Sequence, residues 1–236
     1  MRLGKRLVGA AVGLALVGAV TSAKAEVVYN FDCITNNNAT NAATGEAQLR
    51  MVVSNGGVSN GTQYALFKFV NDGPLASSIC DVYFDDGLVP SITSISIFAD
   101  SGAGVDFAVD SAGNKVAPGN LPGGNGIDFK TTQIGGKKGV GLSADSNSPT
   151  QPNGVNPGEW MTIKAALYSG MTMWKLYEQL DPRVGELRVG IHVQGFGDGG
   201  SESFVAVQSP SAAAGGLALL GLLGLVGYRR YAADRA

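Results

Sequence analysis

Between residues 26 and about 208, apolar side chains recur at every second position. Val27, Tyr29, Phe31 and Cys33 share one parity, and Leu49, Met51 and Val53 alternate with Gln48, Arg50 and Ser54. Ala65, Phe67 and Phe69 make another set, Cys80, Val82 and Phe84 a further one, and Ile95 and Ile97 alternate with Ser94 and Ser96. Met161, Ile163, Ala165 and Leu167 repeat the pattern. Leu187, Val189, Ile191 and Val193 close it, with Arg188, His192 and Gln194 facing outward. A period of two belongs to strands with one buried and one wet face. Asn-, Gly- and Asp-rich turns separate these runs, so the expected fold is all-β, an antiparallel β-sandwich or jelly roll. One segment has a different period. Met173, Leu176, Tyr177 and Leu180 recur at i, i+3, i+4 and i+7 ahead of Pro182, which predicts one short helix packed over an end or face of the sandwich. Residues 111–160 hold eleven Gly and five Pro, the composition of either functional loops or tight turns.

The two ends follow another logic. Arg2, Lys5 and Arg6 precede an apolar run over 7–20, and Ala23-Lys24-Ala25 supplies a small-x-small cleavage signal, so residues 1–25 read as a secretory signal peptide. At the other end Ser209-Pro210-Ser211 precedes sixteen apolar or Gly residues, 212–227, followed by Tyr228-Arg229-Arg230-Tyr231. As a helix this run spans about 24 Å, a marginal transmembrane segment whose arginines stay on the cytoplasmic side. The expected organisation is a leader over 1–25, an exported domain over 26–208 and a sorting or anchoring segment over 209–236.

A short motif, a weak span and a basic finish resemble the PEP-CTERM sorting signal of bacterial exported proteins. Here Gln208-Ser209-Pro210-Ser211 stands where the Pro-Glu-Pro motif would be, and Ala214-Gly215-Gly216 also resembles the Gly-Gly tail read by a rhomboid-type sorting protease. The body resembles a group of exported proteins carrying such tails, through Gly45-Glu-Ala-Gln-Leu49, the segment Ser77-Ser-Ile-Cys-Asp-Val-Tyr-Phe-Asp-Asp-Gly87, Pro118-Gly-Asn-Leu-Pro122, Gly154-Val-Asn-Pro-Gly-Glu159 and Arg188-Val-Gly-Ile-His-Val-Gln194. The resemblance implies an exosortase-like processing enzyme as partner and a membrane-anchored intermediate. It also implies final delivery to the cell surface or an extracellular matrix. It implies no reaction and no site residues.

Charge narrows the partners. Of 17 basic and 19 acidic residues in the chain, ten basic and eighteen acidic fall within 26–208, giving that body about −8. Such a balance disfavours nucleic acid, which needs a basic surface. Two cysteines are too few for a disulfide scaffold. Because Cys33 and Cys80 both point inward on this strand assignment and export is oxidising, a Cys33–Cys80 disulfide is expected.

Candidate chemistry is sparse. Asp81, Tyr83 and Asp85 alternate outward from Cys80, Val82 and Phe84, and Asp86-Gly87 opens the next turn. An aromatic ring flanked by carboxylates suits a sugar, and carboxylates in a turn suit a structural Ca²⁺, although D-x-x-x-D-D-G is not an EF-hand loop. A plain solvated strand face is the competing reading. Glu159 and Glu202 are the carboxylates a secreted glycosidase would need, and His192, the single histidine, makes no triad alone. Gly139-Val-Gly141-Leu-Ser-Ala144 lacks the strand–helix setting of a dinucleotide site. These readings converge on an exported, non-enzymatic protein with a structural or adhesive role in an extracellular polysaccharide matrix. The rivals are a carbohydrate-binding module working through Tyr83, a hydrolase working through Glu159 or Glu202, and a plain membrane-anchored protein that never leaves the inner membrane.

Overall fold

A computed structural model describes residues 26–208, apart from 88–89, 103, 111–115, 118, 130–132, 135–136 and 139–140. The leader and the tail, with Ser209, Pro210, Ser211, Arg229 and Arg230, lie outside the described residues. The strands are β1 (Glu26–Cys33), β2 (Leu49–Ser59), β3 (Thr62–Asn71), β4 (Ser78–Asp85), β5 (Ile92–Asp100), β6 (Phe107–Val109), β7 (Gln133–Ile134), β8 (Lys137–Lys138), β9 (Leu142–Ser146), β10 (Trp160–Leu167), β11 (Arg188–Gln194) and β12 (Ser201–Gln208). The helices are α1 (Ala39–Gln48), α2 (Thr150–Asn153) and α3 (Met173–Gln179).

The all-β expectation holds, but the two layers of a sandwich are replaced by one sheet. Ten antiparallel strands run in the order β5-β10-β3-β2-β1-β12-β11-β4-β9-β6, and β7 and β8 form a separate pair. Phe67 of β3 and Phe84 of β4 stand five strands apart in that order, about 24 Å if the sheet were flat. Their rings meet edge-to-face with centroids 5.2 Å apart, so the sheet is curled nearly into a barrel. Its last strands, β5 and β6, approach each other across the seam. The cause is the unbroken apolar parity: one sheet with a single greasy face buries it most completely by closing on itself. Met51, Phe67, Phe69, Phe84, Ile163, Ile191 and Phe204 are fully buried inside.

The helix predicted around Leu176 forms as α3. Thr172 caps it by accepting from the Lys175 N–H, and Leu176 and Leu180 join the core. Two further helices were not expected, the short α2 and the ten-residue α1. Asn38 starts α1 by accepting from the N–H groups of Thr40 and Asn41. Arg50 ends it by donating to the carbonyls of Glu46, Ala47 and Leu49. Gly45 lies flat on the Phe204 ring, where a Cβ would come within 2.2 Å of it. Among the described residues no helix is long and apolar enough to cross a membrane.

The disulfide expectation is corrected. Both cysteines are free thiols. β12 and β11 lie between β1 and β4, which sets Cys33 and Cys80 roughly 14 Å apart along the sheet, against the ~7 Å limit between Cα atoms that a disulfide tolerates. Ile79 pairs with Val193 and Asp81 with His192, so Cys80 is the extra residue of a β-bulge and does not share the inner face of Val82 and Phe84. Its thiol donates to the Ser78 carbonyl, and burial pushes its pKa up to about 11.

Candidate functional site

The outer surface of the barrel divides into two unlike halves. On strands β12, β11, β4 and β9 it is covered. The Gly- and Pro-rich segment 119–129 folds over it, and Leu121 and Phe129, with Ala117, enclose Tyr83 and Val205 in a second apolar cluster. Gly190 makes the space: a Cβ there would sit 2.5 Å from Leu121 and 3.1 Å from the Phe129 ring. Arg188 fastens the cover by donating to the carbonyls of Ile127 and Asp128 and to the Asp85 carboxylate, with its guanidinium 5.2 Å from the Phe129 ring centroid.

The sequence-predicted patch is therefore not a surface. Tyr83 is 1% exposed and cannot stack a sugar, while Asp81, Asp85 and Asp86 are also buried. Their carboxylates go separate ways. Asp85 pairs with Arg188, Asp81 meets His192 Nδ1 at 3.0 Å, and Asp86 accepts from the N–H groups of Ser91 and Ile92. Burial pushes the Asp86 pKa up to about 6. Among the described residues no group of three or more His, Cys, Asp or Glu is gathered to hold a metal ion.

Register places Ser203, His192, Asp81 and Asp145 side by side on β12, β11, β4 and β9. That is the order of a nucleophile relay, a juxtaposition that periodicity alone did not show because β9 and β12 were not recognised as strands. Ser203 is fully buried, and among the described residues its hydroxyl has no hydrogen-bond partner, His192 included. A nucleophile needs reach to substrate and a bonded base, so the row is a packed polar seam. Burial, then the adjacent Asp81 carboxyl, push the Asp145 pKa up to about 7.

Glu159 and Glu202 are not brought together as an acid pair. Burial works to raise the Glu202 pKa, but donors from Thr35 Oγ1 (2.5 Å), Asn37 N (2.9 Å), Asn38 N (2.6 Å) and the Cys33 thiol outweigh it and hold the group ionised. Glu202 thus ties the Asn38 cap of α1 to β12. Glu159 accepts from the backbone and side chain of Asn156 and shapes the turn before β10.

The other half, on β1, β2, β3, β10 and β5, is open. A concavity of about 320 Å³ is lined by the aromatic rings of Phe98 and Trp160, the apolar Val52 and Leu66, and the polar Lys68, Thr162, Ser54 and Glu26. Phe98 is the extra residue of a bulge between the Thr162–Ala99 and Ile163–Ile97 pairs, which leaves its ring 56% exposed. Lys68 Nζ lies 4.6 Å from the Trp160 ring centroid, and Lys164 Nζ lies 4.1 Å from that of Tyr64 and 5.8 Å from that of Phe98. Compared with known protein families, curated proteins and solved structures, the chain has no match. The open face must be judged by its own chemistry.

That chemistry is a set of partly exposed aromatic faces beside donors and acceptors. Such a set stacks on the C–H face of a sugar ring and hydrogen-bonds its hydroxyls. Sequence reasoning missed it because Trp160, Phe98 and Lys68 are far apart in the chain. The one available signal was Phe98, an apolar residue out of phase with Ile95 and Ile97.

Proposed function

We propose that this is an exported, non-enzymatic surface or matrix protein that holds polysaccharide on the open face of its barrel. The exposed Phe98 ring beside Trp160 in a concavity of about 320 Å³ carries the reading, because that is the scale of a small-ligand cleft and the geometry of a sugar platform. The leader and the PEP-CTERM-like tail support delivery to the surface through an exosortase-like enzyme, with the membrane as a stage on the way. The carbohydrate-binding reading moves from Tyr83, which is buried, to Trp160 and Phe98, and is joined here to the structural or adhesive role, which had no site of its own. The hydrolase reading loses its support, since Glu159 and Glu202 are engaged in separate structural networks.

Retention of the full chain in polysaccharide-containing gels tests the reading. Trp160→Ala and Phe98→Ala are expected to abolish retention while Tyr168→Ala, an exposed aromatic outside the concavity, leaves it unchanged. Retention that survives both substitutions would sink the proposal. Intact mass from native cells tests delivery: a chain beginning at Glu26 and ending near Ser209–Gly216 is expected, and one still carrying Arg229 and Arg230 refutes the sorting role.

A further inference from the structure

We infer that the polysaccharide taken by the open face is acidic, a polymer of hexuronate sugars. The inference rests on the glycan reading above and adds the charge class of the ligand.

The body is acidic as a whole, yet the charges are unevenly placed on the barrel. On the strands of the covered half Asp81, Asp85, Asp145 and Glu202 outnumber Arg188, whereas on those of the open half Arg50, Lys68 and Lys164 balance Glu26, Asp32 and Asp100. Arg50 is occupied by the end of α1. Lys68 and Lys164 are not paired in this way. Neither ammonium meets a carboxylate among the described residues, and each is held against an aromatic ring. Lys68 faces Thr162 and Lys164 faces Leu66, so the two lysines are diagonal neighbours on β3 and β10, with side chains rooted roughly 7 Å apart.

Two partly desolvated cations on a sugar-stacking face are poised for a ligand that has an apolar ring face and a negative charge on the same unit. A hexuronate meets both demands: its C–H face lies on Phe98 and Trp160, and its carboxylate reaches Lys68 or Lys164. A neutral sugar satisfies only the rings. Glu26, on β1 and two strands from Lys68, also lines the concavity; it repels a carboxylate and so favours the orientation that turns it towards the lysines.

The full chain, kept in mild detergent with a chelator, would be titrated with alginate, a polyuronate, and with dextran, a neutral polymer. Alginate is expected to bind and to weaken with added salt. Lys68→Gln with Lys164→Gln is expected to weaken alginate binding about tenfold, the sum of two partly exposed charge contacts, with dextran unaffected. Lys175→Gln, on α3, leaves both unchanged, and equal melting temperatures show that each variant is folded. Equal binding of the two polymers, indifferent to the lysine changes, overturns the charge inference while the glycan reading stands. Binding of neither polymer overturns both. Binding to anionic phosphatidylglycerol vesicles in place of either polymer also overturns both, since the face would then serve a lipid surface.

Discussion

The outer face of β4 and the outer face of β3 start from the same pattern, alternate residues turned away from one core, and end differently. On β3 the outward side chains of Leu66, Lys68 and Val70 are partly exposed, and from Ala65 to Asn71 the strand alternates buried and intermediate. On β4 all eight residues are buried, because segment 119–129 lies over Tyr83 and Arg188 holds it there. β4 behaves as interior on both sides, whereas β3 keeps a solvent-facing side. An aromatic residue on a sheet's outward parity is thus no guide to a sugar platform until its cover is known.

Substitutions at matched positions test how deep that difference runs. Tyr83→Ala is expected to destabilise the fold by about 3–5 kcal/mol in denaturant unfolding, as for a large buried side chain. A value below 1 kcal/mol would mean that the cover is not packed. Arg188→Ala removes the fastening and leaves Asp85 buried without its cation, for an expected loss of about 3 kcal/mol and earlier proteolytic cutting within segment 119–129.

A smaller effect belongs to pH. The folded pKa values of Asp145 (about 7) and Asp86 (about 6) lie above the ordinary carboxylate range, so the native state holds protons that the unfolded chain has released. Stability then falls as pH rises from about 4 to about 7, and the melting temperature is expected to be higher at pH 5 than at pH 8. Asp145→Asn should flatten part of that slope; an unchanged slope removes Asp145 as its source. Smallest is Phe98→Ala on the open half, expected within about 0.5 kcal/mol of the parent in the same unfolding measurement.

The same division explains what was legible in the sequence. β2, β3 and β10 show clean alternation because water lies on one side of them. β12 did not stand out, since its inward parity carries Glu202, saturated by the start of α1, and its outward parity carries Val205, covered by the loop. β9, with the sequence LSADS, has polar residues on both parities and is defined by its ladder to β4. α1 lacks an apolar stripe and depends on its two caps and on the flat contact of Gly45 with Phe204. The candidate site was the least legible part, because Phe98, Trp160 and Lys68 are joined only by register.

The order of the strands also bears on when the barrel can fold. β1 and β12, the first and last strands, are hydrogen-bonded neighbours in the middle of the sheet, Tyr29 lying opposite Gln208. β1 cannot gain its second partner until nearly the whole body has emerged. The contacts that complete the wall are among the longest-range in the chain, the kind that slows folding. A chain emerging N-terminus first therefore keeps one edge of β1 unpaired until residues near 208 are available, and the wall cannot be completed before then.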